Sequence, residues 1–290
     1  MIFNVMTVLN SDYFDFGKLF VNSFYDNVDL SRIHKLYVYD TGLSEDDKKY
    51  LSVFPQMEIV STELNTKHVL LHDEDWRKNV YSKTAFLLQV IEKDSLPTVM
   101  IDSDCLFLSD FTRLIPENED FVACRREEQE AFCEYIASFF VINSIEKAPS
   151  FIREWREEMY YGTENHKESP ALSRLINKGG YQVYAIKEDL VSYTGTELTA
   201  DITIAHMKST RGLRTVEQRV NQPHLKAYKE KYLTDIPIAA VGKALSAMFL
   251  ETASEAALEQ SSGKDKDRPS VLDNLSPEKR ALLLKRLKKG

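Results

Sequence analysis

Along the first hundred residues the chain switches repeatedly between two hydrophobic patterns. Residues 2–8 form a nearly continuous apolar run, as in a buried strand, while residues 13–25 place apolar side chains at helical spacing. A second strand is predicted over 34–39, ended by Asp40-Thr41-Gly42, where the glycine suits a tight turn. Ser44 followed by Glu45, Asp46 and Asp47 predicts a capped helix start, since a serine oxygen can accept from a free amide and the acids favour the helix dipole. Residues 57–61 predict a third strand, 79–93 a helix and 98–101 a further strand. Such alternation predicts an α/β fold, a doubly wound and mostly parallel sheet. Ligands of these sheets lie beyond the carboxyl ends of the strands, so the segments 7–10, 40–42 and 102–104 are expected to converge on one cleft.

The second half is less regular. Short strands are predicted at 121–124, 139–142, 182–186 and 202–206, with helices over 148–160 and 170–177 and a charged surface helix over 215–232. No internal repeat is present. We divide the chain into an α/β domain over 1–235, a helical extension over 236–258, a flexible linker over 259–275 and a short basic helix over 276–290. The linker has almost nothing to bury. Ser276-Pro277-Glu278 then gives an N-cap with proline at the first helical position, and Leu283, Leu284 and Leu287 lie on the apolar side of the helix it starts.

Charge sharpens this division. The net charge of −8 argues against a general nucleic-acid binder. From Gly263 onward there are nine Lys/Arg against four Asp/Glu, so the tail is basic and the remainder strongly acidic. No early segment has the order of a signal peptide, and no apolar run reaches the length of a membrane span. Three cysteines, odd in number and without metal-site spacing, predict reduced buried thiols, and the expected location is cytoplasmic.

The chemistry centres on Pro97-Thr-Val-Met-Ile-Asp-Ser-Asp-Cys-Leu-Phe-Leu-Ser-Asp110. Asp102 and Asp104 stand two residues apart, so a strand or its extended continuation presents both carboxylates on one face. Two acids at the end of a buried strand need a cation between them, and a hard divalent ion with oxygen ligands supplies it. The alternative is a capped strand-to-loop turn, a common use of aspartate.

Several segments in order carry a family resemblance: Val5-Met-Thr-Val-Leu-Asn10, Val38-Tyr-Asp-Thr-Gly-Leu43, Lys83 within 81–88, Ile101-Asp-Ser-Asp104, Phe139-Phe-Val-Ile-Asn143, Glu168-Ser-Pro-Ala-Leu172 and Ile204-Ala-His206. Over about residues 1–235 the chain resembles the GT-A glycosyltransferases, nearest the family-8-like branch. The resemblance implies a Rossmann-like GT-A fold with a mostly parallel central sheet, here followed by a C-terminal helical appendage. It implies a metal site of Asp102, Asp104 and His206 holding Mn2+ or Mg2+, the imidazole nitrogen suiting Mn2+ better. Donor contacts follow at Thr7, Val8, Asn10, Asp40, Lys83 and Ser103, with Lys208 and Arg211 near the diphosphate. Lys83 reads equally well as a solvated helix lysine; for His206, whose place after an apolar strand and before Lys208 and Arg211 favours the ligand reading, the alternative is a hydrogen-bonded strand-end histidine. Glu168 is a candidate general base for the acceptor if the reaction inverts, a residue that positions the acceptor or stabilises positive charge at the anomeric carbon if it retains, or a helix N-terminal acid favoured by the dipole alone. Trp76, Arg125 and Arg126 are candidate acceptor contacts; the tryptophan is otherwise core and the arginines a solvated turn. The longer His-x-x-Gly-x-x-Lys signature of family 8 is absent, which leaves the phosphate contacts open.

The resemblance implies transfer of a sugar from a nucleotide diphosphate donor, most commonly a uridine one, to an acceptor such as a natural product or a cell-surface glycan. The rival readings are a phosphohydrolase, a nucleotidyltransferase and a catalytically silent scaffold. Exchange of Asp104 for Asn is expected to nearly abolish transfer and leave the fold intact, since two carboxylates would share the metal. Residues 274–288 resemble the short helix that recurs before condensation domains in nonribosomal peptide synthetases. This implies docking on a protein partner; contact with a membrane surface or with the acidic body are the alternatives.

Overall fold

The computed structural model describes residues 1–64, 74–127, 133–162, 167–208 and 215–239. The predicted extension, linker and basic helix therefore lie almost wholly outside the described residues. In chain order the elements are β1 (Phe3–Leu9), α1 (Phe14–Asn27), β2 (Ile33–Asp40), α2 (Glu45–Leu51), β3 (Met57–Ser61), α3 (Glu74–Asp94), β4 (Thr98–Ile101) and β5 (Cys105–Phe107). They continue with β6 (Phe121–Arg125), β7 (Tyr135–Ile142), α4 (Ala148–Tyr161), α5 (Glu168–Lys178), β8 (Val183–Lys187), α6 (Glu188–Val191), β9 (Ile204–His206), α7 (Val216–Val220) and α8 (Lys226–Tyr232).

Seven strands form one sheet in the order β3-β2-β1-β4-β7-β6-β8. All neighbours pair in parallel except β7, which runs antiparallel to both β4 and β6. The mostly parallel α/β sheet expected from the sequence is thus present. β1 alternates its side chains between two cores: Phe3, Val5 and Leu9 pack on the α1 side, and Met6 on the side covered by α3, α4 and α5. Gly17 permits the close approach of α1, since a Cβ there would meet a Leu9 methyl at 2.6 Å. The predicted cap at Ser44 is a full capping box, with the Asp47 amide donating to Ser44 Oγ at 3.2 Å and the Ser44 amide to Asp47 Oδ2 at 3.1 Å. Gly42 has φ of 130°, the left-handed geometry its turn requires.

Two features differ from expectation. β5 pairs antiparallel with β9 as a separate two-stranded sheet. Residues 215–232, expected as one charged surface helix, are α7, a 3-10 turn at Pro223–Leu225 and α8. Pro223 interrupts the helix by lacking an amide donor, and Val220, Leu225 and Tyr232 are buried against Phe16 and Leu106. Cys105, Cys124 and Cys133 are buried thiols that form no disulfide among the described residues, as expected. Among the described residues no helix is long and apolar enough to cross a membrane.

Asn4 on β1 is fully buried, and among the described residues neither its amide nitrogen nor its amide oxygen has a hydrogen-bond partner. An unpaired buried amide costs about 1–3 kcal/mol. Asn4→Val, which keeps a strand-forming shape, is therefore expected to stabilise the protein by about 1 kcal/mol in urea unfolding.

Candidate active site

β4 ends at Ile101, and Asp102–Asp104 form the turn into β5 rather than an extension of the strand. The Asp102 amide donates to the Ser138 carbonyl on β7 at 3.0 Å, which fixes where the turn leaves the sheet. The pairing of β5 with β9 sets Cys105 opposite His206, and the Met207 amide donates to the Asp104 carbonyl at 2.7 Å. His206 is brought to the aspartates by this register. Its Nε2 lies 3.0 Å from Asp104 Oδ1 and 3.8 Å from Asp102 Oδ2.

Each aspartate also has its own cation. Lys83, buried on α3, reaches Asp102 Oδ1 at 2.5 Å and Glu168 Oε1 at 3.0 Å. Burial alone would lower its pKa, but the two carboxylates outweigh it and keep the ammonium charged. Arg219, on α7 and 1% exposed, pairs with Asp104 through Nη2. It also donates to the Met207 carbonyl at 2.5 Å and to the Tyr13 hydroxyl at 3.0 Å, and stacks over Phe16 at 4.4 Å. Burial opposes ionisation of Asp104, yet His206 and Arg219 hold its carboxyl well below the usual range. Tyr13 is pushed up to about 12 by burial, with the Asp104 charge adding to it.

Glu168 opens α5, and its backbone carbonyl accepts from Trp155 Nε1 at 3.0 Å, so α4 holds it in place. Oε2 is buried without a partner. Burial, reinforced by Asp102, pushes its pKa up to about 7, although Lys83 pulls the other way. The helix dipole alone would keep this acid ionised; desolvation wins, leaving a carboxyl that exchanges its proton near neutrality.

The remaining predicted residues are placed as follows. Thr7 is buried, with a hydroxyl that has no partner, and Val8 is half-buried. Asn10 accepts from the Tyr13 amide at 3.1 Å and so shapes the first loop. Both Asp40 oxygens are engaged, Oδ1 with the Gly42 and Leu43 amides and Oδ2 with Lys48. Ser103 and Lys208 are half-buried, between the aspartates and two residues beyond His206. Arg125 ends β6 and Arg126 follows it. They line a cleft of about 370 Å3 with Lys187 at the ends of β6 and β8, and Arg125 pairs with Glu134 at 2.5 Å. Trp76 is in the first turn of α3, its side chain outside the described residues, as is Arg211.

His206 Nε2 reaches a carboxylate oxygen of both Asp102 and Asp104, donor chemistry that suits a hard divalent cation, although among the described residues the ligand atoms that all lie within 4.8 Å of one another belong to Asp104, Cys105 and His206 and not to Asp102. The Cys105 thiol is fully buried in the core beneath α1, where burial pushes its pKa far up. Arg219 is the site residue that the sequence did not reveal. It stands thirteen positions after His206 in a polar stretch, with no spacing signal to mark it.

No protein-family model matches the sequence, and no curated protein matches it. Solved structures do share the fold. The chain is similar to the galactosyltransferase LgtC in complex with donor and acceptor sugar analogues, with a TM-score of 0.57 and 12% identity over 78% of this chain and 94% of that one. It is also similar to the apo bifunctional enzyme WbbM, with a TM-score of 0.54 and 13% identity over 80% of this chain. The chain spans about half, 52%, of the WbbM length. The fold is that of the GT-A-type glycosyltransferases.

Proposed function

We propose that this chain is a metal-dependent glycosyltransferase that moves a sugar from a nucleotide diphosphate donor, a uridine one, to an acceptor hydroxyl. The observation that carries this reading is the meeting of Asp102, Asp104 and His206 at the carboxyl end of β4, flanked by Lys83, Glu168 and Arg219. Asp102, Asp104 and His206 would hold Mn2+ or Mg2+, which when bound supplies Lewis-acid stabilisation of the departing diphosphate.

The chain's own groups do the rest. Lys83 places a fixed positive charge between the metal-side carboxylate and Glu168. Glu168, pushed up to about 7, handles the acceptor proton, because a group titrating near the working pH is an effective proton carrier. Lys208, beside His206, adds positive charge for the phosphates. The cleft at Arg125 and Arg126 is the acceptor side of this reading. The basic C-terminal segment is proposed to dock on a protein partner.

Calorimetric titration of UDP and GDP, each with and without Mn2+, tests the donor site. UDP is expected to bind more tightly when Mn2+ is present than when it is absent. Failure of both nucleotides to bind under either condition overturns the reading.

A further inference from the structure

Ser192 follows α6 and is fully buried. Its hydroxyl lies 3.1 Å from His206 Nδ1 and 2.9 Å from Ser138 Oγ. The carbonyl of that same Ser138 accepts from the Asp102 amide. One run of contacts therefore joins His206, Ser192, Ser138 and Asp102, separately from the direct contact of His206 with Asp104. The backbone on both sides of Ser192 is tied to the β9 segment: the Thr203 amide donates to the Leu190 carbonyl at 2.9 Å and the His206 amide to the Tyr193 carbonyl at 2.8 Å. The hydroxyl is thus held in register with the imidazole.

The choice of a hydroxyl has a chemical consequence. An imidazole that offers the Nε2 lone pair carries its proton on Nδ1, and the other tautomer accepts at Nδ1 instead. A backbone carbonyl can serve only the first. A hydroxyl donates or accepts, and a second hydroxyl behind it can reverse along with it. Ser192 and Ser138 therefore satisfy His206 whichever nitrogen carries the proton, without any movement of heavy atoms.

We infer that Ser192, backed by Ser138, is a positioning residue that fixes the His206 ring with Nε2 aimed at Asp102 and Asp104. This inference rests on the metal site proposed above. It goes beyond that proposal in assigning part of the cation affinity to two serines that touch neither substrate nor cation.

The test uses the full chain and Mn2+ alone, with free Mn2+ read by electron paramagnetic resonance and no nucleotide present. Ser192→Ala is expected to weaken Mn2+ binding about 10- to 100-fold, the usual effect of removing a partner behind a metal-bound histidine. Ser138→Ala is expected to weaken it less, in the same direction. A role in packing alone would lower the melting temperature and leave the affinity of the folded protein unchanged. Wild-type affinity in folded Ser192→Ala overturns the inference. If that variant does not fold, wild-type affinity in Ser138→Ala overturns it. Should the unaltered protein itself bind no Mn2+, the metal reading fails, and nitrogen NMR of the metal-free ring decides the positioning role. A shifted Nδ1 resonance in Ser192→Ala supports it; an unmoved one overturns it.

Discussion

Asp104→Asn is expected to lower sugar transfer at least about 100-fold, as loss of a charged group at such a site does, and also to destabilise the protein. The sequence alone suggested an unaltered fold, because two carboxylates would share the metal. The structure gives Asp104 a structural duty. Arg219 is 1% exposed, and Asp104 is the carboxylate paired with its guanidinium. Removing one member of a buried pair leaves the other charge uncompensated, at a cost of about 3–5 kcal/mol. The Met207 carbonyl and Tyr13 hydroxyl still accept from Arg219, which places the expected loss at the lower end of that range. Urea unfolding of Asp104→Asn, Arg219→Met and the double variant measures the contact directly. The double variant is expected to fall short of additivity by at least about 1 kcal/mol, as for residues in direct contact. Transfer should stay lost in it. Full activity in Asp104→Asn would remove Asp104 from the metal site; wild-type stability would remove the structural role of the pair.

Lys83→Met is the second variant with a large expected effect. Lys83 bridges Asp102 and Glu168, so its loss leaves two half-buried carboxylates facing each other. Transfer is expected to fall at least about 100-fold, and stability by about 3 kcal/mol at pH 8. The pH dependence is the more telling result. The folded-state pKa of Glu168, about 7, lies above its ordinary value of 4.5. Its contribution to stability is therefore fully present below 4.5 and lost as pH rises through 7. Without the ammonium the folded-state pKa moves higher still, which extends that loss to higher pH. The difference in stability between Lys83→Met and the unaltered protein should accordingly grow from pH 5 to pH 8. In the background of Glu168→Gln it should become much flatter. A pH-independent difference would show that Lys83 contributes through packing and not through charge.

The elements that surround the site were unequally legible. β1, β2 and β4 appear in the sequence because their buried stretches are predominantly apolar, and the capping box at Ser44 because its chemistry is local. The helix at Glu168 appears through its own amphipathic spacing, and Lys83 lies on a helix with the same kind of signal. β5 was not predicted. It has three residues, and its apolar side chains merge with the run that begins at β4. The contact between β5 and β9 spans about a hundred residues and has no local counterpart in the sequence.

Charged residues beyond His206 show the same contrast. Lys208 and Arg211 are conspicuous cations after a strand, so they attract a phosphate role. Arg219 sits among Glu217, Gln218 and Asn221, where composition indicates a solvated helix face. It is buried because Val220 and Leu225 draw α7 onto α1 and β5, and the burial is tolerated because Asp104 lies at its end. Neither condition can be read from the residues around it.

By itself the sequence determined the alternating α/β order and the strand that delivers Asp102 and Asp104, because period and turn chemistry act over a few residues; the candidacy of His206, Lys83 and Glu168 came from the family resemblance. Only the tertiary structure decided which cation faces each aspartate, that Glu168 titrates near neutrality, and that Ser192 stands behind His206. These depend on desolvation and on distances between segments far apart in the chain, and both arise only when the sheet and helices pack together.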